Sequence, residues 1–219
     1  MPEIIAGFEI PGTAAVAEAT RFIQETTRPS IYHHSRRAFL FSRMHAQRLG
    51  VDLDPELLYM ASIFHDVGLL TPFSDAVQRF EVDSADHARK FLLERGFPGA
   101  AAETVWTAIA LHTTLGIPER MGPEIALTQL GIATDVIGVA LDALDRDQVA
   151  EVLAAHPRVD FTDEFLRAHV DGLKNRPHTA DGTMNSDILE RFIPGFQHTN
   201  IVEAILNSPW EADPRRATR

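Results

Sequence analysis

The chain has 219 residues, 45% hydrophobic and 23% charged, with 13 glycines and 13 prolines, the profile of an ordinary globular protein long enough to bury a core without staples. It contains no cysteine, which excludes a disulfide framework, a thiol nucleophile and any cysteine-ligated metal, so a metal would have to sit on His, Asp or Glu. Its 31 acidic and 20 basic residues give a formal charge of −11, a field that repels polyanions and argues against a nucleic-acid partner.

The opening MPEIIAGFEIPG has neither a basic segment nor an apolar stretch of signal-peptide length, and nowhere do apolar residues run to the roughly 18 that a membrane span needs. The expectation is a cytoplasmic protein with no membrane partner. From about residue 13 onward apolar residues recur at three and four rather than two, so the chain reads as helix after helix with almost no strand. A helix opening at His34 turns Ala38, Phe41 and Met44 to the same inward face. Asp54 and Pro55 then form an N-cap and first helical position, and the run from Glu56 to Val67 stops at Gly68. Leu57, Leu58, Met60, Ala61, Ile63 and Phe64 cover most of its circumference, the pattern of a helix in the middle of a bundle.

Further helices are expected over about Ser84 to Arg95, Ala100 to Thr114 and Pro123 to Leu144. Within the last, Gly131 and Gly138 fall on one face, where absent side chains would let a neighbouring helix come close. Residues 69–83 and 175–186 are turn-rich connections long enough to cover a site, and the terminal PRRATR should fray. No repeat or Gly/Ser linker divides the chain, so residues 1–219 read as one domain, an all-α compact helical bundle.

Chemistry concentrates at a few of the ten histidines. The His65-Asp66 pair ends the most hydrophobic helix, where an unpaired carboxylate carries a large desolvation penalty. That helix offers no Arg or Lys, so a divalent metal bound by both residues is the stronger counter-charge. His34 faces the core from another helix, and Asp135, on the stripe of Ile132 and Val139, brings a second buried carboxylate. His34, His65, Asp66 and Asp135 could converge on one ion at the bundle centre, leaving positions open for water and substrate. The alternative is a buried ion-pair or hydrogen-bond network. His112 ends the stripe Ala102, Val105, Ile109 and points inward; the histidines at 45, 156, 169 and 198 sit among polar neighbours or at helix ends and read as exposed.

His34, the doublet in SIFHDVGLL and Asp135 in IATDVIG resemble the H…HD…D signature of the HD superfamily of metal-dependent hydrolases. More narrowly, HHSRRAFLFS, LDPELLYMASIFHDVGL, RFEVDSADHARKFL, IALHT and GPEIALTQLGIATDVIG are similar to segments of its cyanamide hydratase-like branch, over a core of about 28–144 with C-terminal helices packing on it. In that branch the residue before the first ligand is usually Asn and is His33 here. The resemblance implies an HD-type fold and one divalent ion, zinc first, with Fe, Mn, Co and Ni also suited to such ligands. Two departures stand out. The glutamate that nucleotidase-like members place after the doublet is Leu69, and a histidine of dinuclear members is Glu81, leaving a second metal only Glu81, His87 or His112.

The expected function is hydration of a small nitrile or cyanamide-like substrate, cyanamide to urea in type, by hydroxide generated on the metal at a pKa of about 7. Asp66 anchors that chemistry, and Glu81 or His112 would protonate the nitrogen. Thr113 and His178 are the candidate substrate contacts. The alternative is an HD-type phosphohydrolase acting on a nucleotide or other phosphate ester, for which Arg36, Arg37, Arg79 and Arg89 are the cations near the motif. The partner is a small molecule in either case, and the sequence leaves a homo-oligomer open.

Overall fold

A computed structural model describes residues 3–209; the PRRATR tail lies outside the described residues. A hairpin of two short strands, β1 (Ile4–Ile5) and β2 (Phe8–Glu9), precedes helices α1 (Ala14–Thr26), α2 (Pro29–Leu49), α3 (Pro55–Phe64), α4 (Phe80–Glu94), α5 (Gly99–Ala110) and α6 (Pro123–Ile137). Then come α7 (Arg146–Ala155), α8 (Phe161–Leu173), α9 (Asn185–Phe192) and α10 (Ile201–Leu206). The architecture is all-α, as the periodicity requires.

Local chemistry sets the ends of these helices. Asp54 accepts from the Glu56 and Leu57 amides ahead of α3, with Pro55 at the first position. Thr13 caps α1 through the Val16 amide, and Gly50, at φ 65°, closes α2 in the left-handed conformation. α3 is buried on every side from Leu58 to Phe64 and packs against α1, α2, α4, α5 and α6, so the central helix read from the sequence is central. α2 and α6 cross it and make the most extensive helix pair.

Five boundaries differ from the sequence reading, one of them the end of α5, which stops at Ala110 and leaves His112 and Thr113 in the turn beyond it. The helix carrying His34 begins at Pro29, so His34 lies in its second turn, on the buried face. α3 ends at Phe64; His65 is its C-cap, and Asp66 leaves helical geometry before a 3-10 turn over Val67–Leu69. α4 starts at Phe80, which places Glu81 inside its first turn. α6 stops at Ile137 because Gly138, at φ 75°, is a left-handed C-cap. Gly131 alone is the contact position: a Cβ there would meet the Ala38 carbonyl oxygen at 2.4 Å and the Ser42 hydroxyl at 2.0 Å.

A second apolar cluster of Leu69, Phe80, Leu173, Ala180 and Leu189 fastens α8 and α9 over the outer end of α3. Arg176 locks this layer. Its buried guanidinium donates to the carbonyls of Asp75, Gln78, Gly68 and Gly172 and pairs with Asp83. The connections 69–83 and 175–186 thereby meet at one buried cation. No helix among the described residues is long and apolar enough to cross a membrane.

Candidate metal centre

Where α3 ends, His65 and Asp66 project beside His34 of α2. The Nε2 atoms of His34 and His65 lie 3.0 Å apart, and Asp66 Oδ2 is 3.3 Å from the second and 3.9 Å from the first. His65 Nδ1 donates to the Ser62 carbonyl at 2.7 Å, and His34 Nδ1 bonds Asp135 Oδ2 at 2.6 Å. Each ring therefore has its Nδ1 proton engaged and turns an Nε2 lone pair inward when neutral. Asp66 Oδ2 is buried without any hydrogen-bond partner. Two facing lone pairs and an orphaned carboxylate oxygen repel one another in a buried site, and a divalent cation satisfies all three. His34, His65 and Asp66 thus form a group able to hold a metal ion.

The structure puts Asp135 elsewhere. Its Oδ1 takes the Arg37 Nε at 2.7 Å and Arg158 Nη1 at 2.7 Å, and its Oδ2 takes Arg37 Nη2 at 2.9 Å besides His34. The premise that Asp135 is stranded without a metal does not hold: Arg37, one helical turn after His34, and Arg158 supply counter-charge. Asp135 Oδ2 holds His34 Nδ1 and so fixes the tautomer of that ring. Burial pushes the Asp135 carboxyl up, but His34 and Arg37 outweigh it and hold it well below the usual range. Burial likewise raises Asp66, and the charges of His65, His169 and His34 more than reverse it. His34 is lowered by burial, whereas the Asp66 charge beside His65 overrides burial there and raises it.

The three donor atoms form the floor of a cavity of about 410 Å³ between α6, α8 and α9. The HD domain model matches residues 31–158, more than half of the chain. The chain belongs to the HD domain family. HD domains bind a divalent metal, and the match spans His34, His65, Asp66 and Asp135. The Bacillus subtilis (strain 168) protein named "Putative phosphohydrolase YueE" is 33% identical over 97 residues, which cover 39% of this chain and 55% of that protein. The aligned part is therefore about half of that relative's length.

Other site expectations fare unevenly. Thr113 lines the cavity, and so does His112, whose Nδ1 donates to the Ile109 carbonyl at 2.6 Å. Burial, reinforced by His65, holds the His112 imidazole down at about 4. Glu81 lies behind Thr113, bound by Arg79 Nη2 at 2.8 Å, by the Thr113 hydroxyl and by Asn185 Nδ2 at 3.1 Å. Burial raises the Glu81 carboxyl, but Arg79, His112 and Thr113 keep it low. Glu81 is absent from the cavity wall, whereas His112 lines it. His178 is exposed on a 3-10 turn and is absent from the cavity wall. His87 stacks on Phe22, with ring centroids 5.2 Å apart, meets Phe73 edge-on, and is absent from the cavity wall. Leu69 joins the second apolar cluster.

The phosphate-binding arginines are also spoken for. Arg36 is buried against Tyr59, His156 and Glu3; Arg79 and Arg89 pair with Glu81 and Asp86. Three of the four histidines read as exposed, 45, 156 and 169, are buried. His169 matters most: it lines the cavity, its ring is 4.3 Å from Phe165, and its Nδ1 bonds the Phe165 carbonyl at 3.0 Å. Phe161, Phe165 and His169 recur every four residues, a helical stripe that was readable as an inward face. Asn185 gave no such signal, since α9 is short and its burial depends on Glu81 of a distant helix.

Proposed function

We propose that this chain is a metal-dependent hydrolase of a phosphate ester, with a small molecule as its substrate. The observation that carries this is the convergence of His34 Nε2, His65 Nε2 and Asp66 Oδ2 at the floor of a cavity, and the YueE likeness favours phosphate over other esters. When bound, a divalent cation, zinc by resemblance, supplies Lewis acidity: it lowers the pKa of water toward about 7 and draws charge from the group under attack.

The chain's own residues do the rest. Asp135 and the Ser62 carbonyl keep both imidazoles in the ligating tautomer. His112 Nε2, neutral and unprotonated, accepts a hydrogen bond from the attacking water and orients it. Asn185 gives one amide N–H to Glu81 and keeps the other for a substrate oxygen. Water oxygen bonds to phosphorus, the ester P–O bond breaks, and the water proton leaves with the alcohol or to solvent. Apolar walls exclude bulk water and strengthen each polar contact.

Hydration of a nitrile or cyanamide, the activity of the branch that the sequence resembles, is the second reading. It is favoured by one observation: among the described residues no Arg or Lys lines the cavity. Metal analysis of purified protein, followed by assays for phosphate or alcohol release from an ester panel and for urea from cyanamide, separates the two. The expected result is ester cleavage that is lost together with the metal in Asp66→Asn. Urea formation without ester cleavage would replace the first reading with the second.

A further inference from the structure

The cavity that holds the three donor atoms has an unusual charge balance for a phosphate-ester site. A divalent cation on His34, His65 and the Asp66 carboxylate leaves one net positive charge. The Asp135 charge is already met by Arg37 and Arg158. Among the described residues no Arg or Lys lines the cavity, and the one further carboxylate in its wall, Asp187, is exposed to solvent. The walls are apolar instead: Ile132 and Val136 from α6, Phe161 and Phe165 from α8, Met184 and Ile188 beside and within α9. The rim continues this character, with Leu115 66% and Ile137 72% exposed. α8 and α9 both lie beyond residues 31–158, so the part of the wall that Phe161, Phe165, Met184 and Ile188 build belongs to the chain's own C-terminal layer.

We propose that the site selects a phosphate ester of single negative charge bearing an apolar group, a diester with an aryl or branched alkyl substituent, over monoesters and nucleoside polyphosphates. This rests on the phosphate-ester reading above. One negative charge neutralises the buried metal and its three donors, the exposed Asp187 being screened by solvent; a second or third would stay buried without a counter-ion, which is costly in an apolar cavity. The apolar substituent occupies the wall between α6 and α8 and contributes by its burial. Hydrolysis converts the diester monoanion and one water into an alcohol, a monoester dianion and a proton that passes to solvent, and the same charge argument expels the dianionic product.

The test measures binding and turnover on the metal-loaded protein. By calorimetry, diphenyl phosphate should bind about tenfold or more tighter than phenyl phosphate, the worth of one buried ring, and tighter than ATP. Ala133→Phe, which fills the half-buried wall, should remove that preference. Leu115→Arg, at an exposed position that leaves the core untouched, should shift it toward phenyl phosphate. Phenyl phosphate or ATP binding as tightly as diphenyl phosphate to the wild type, or a preference unmoved by Leu115→Arg, overturns the proposal. Turnover of bis(4-nitrophenyl) phosphate is read in parallel. Selective binding without cleavage would sink the hydrolase reading while sustaining the selectivity; cleavage without selectivity would do the reverse.

Discussion

At the scale of single residues, the division of labour between the two aspartates determines what each substitution should do. Asp66 offers an oxygen that nothing else satisfies, whereas both Asp135 oxygens are saturated by Arg37, Arg158 and His34. Asp66→Asn should therefore abolish metal binding with little change in thermal stability, because the orphaned charge is removed. Asp135→Asn should retain the metal with affinity lowered about 10- to 100-fold, the usual effect of losing the group that orients a ligating histidine. It should also destabilise the fold by about 3–5 kcal/mol, since a buried guanidinium loses its partner. Calorimetric metal titration and thermal melts of both variants check this; equal and complete loss of metal would make Asp135 a ligand after all. The sequence placed all four side chains in the core correctly, because inward stripes report burial. It could not report which buried carboxylate an arginine reaches. Arg37 shares an inward face with His34, but its partner is 98 positions away, and only the α2–α6 crossing joins them.

At the scale of helices, that crossing is set by Gly131, and the two glycines of the α6 sequence invite a direct comparison. Gly131→Ala would drive a Cβ into the Ala38 carbonyl and the Ser42 backbone, atoms that cannot rotate away. Gly138→Ala meets nothing within 4 Å and suffers only a left-handed backbone at φ 75°. The first should cost about 3 kcal/mol or more through overpacking and the second about 1 kcal/mol. Gly131→Ala should also weaken metal binding, since separating α2 from α6 pulls His34 away from Asp135; Gly138→Ala should leave it unchanged. Denaturant melts and metal titration read both effects, and a larger loss in Gly138→Ala would refute the assignment of the contact to Gly131. Caps and periodicity made α3 and most of α6 legible in advance. They misjudged Gly138 because a glycine at a helix end and one in a helix contact look alike until the partner is known. The early start of α4 was hidden for a similar reason: Arg79 and Phe80 form no side-chain cap, and the helix is held there by tertiary packing.

For the molecule as a whole, buried histidines predict how stability responds to acid. His45 is fully buried on α2, with Nε2 on the Thr134 hydroxyl at 2.9 Å and Nδ1 without a partner. Burial first, then Arg48, depresses it from 6.5 to about 4. His156, against Arg36 and Arg37, is depressed by burial and by those arginines to about 3. In the unfolded chain both bind protons near 6.5, so the unfolded state takes up more protons as the pH falls below that value, and folding stability declines. The stabilisation these neutral rings contribute is present in full above pH 6.5 and is lost progressively toward pH 4. Asp66 and Asp135, whose folded values are also depressed, act in the same direction but begin only below the ordinary carboxylate value of about 4. The metal-free protein should therefore melt at steadily lower temperature from pH 7 to pH 4.5, before its carboxylates titrate. His45→Leu removes one of the two rings while the Thr134 hydroxyl keeps its bonds to the Leu130 and Val139 carbonyls. Its melting curve should lie near wild type at pH 7.5 and fall less steeply across the interval from 6.5 to 4.5. A variant slope as steep as that of wild type would mean that His45 takes up a proton in the folded state, and that its unpartnered nitrogen is not shielded from water.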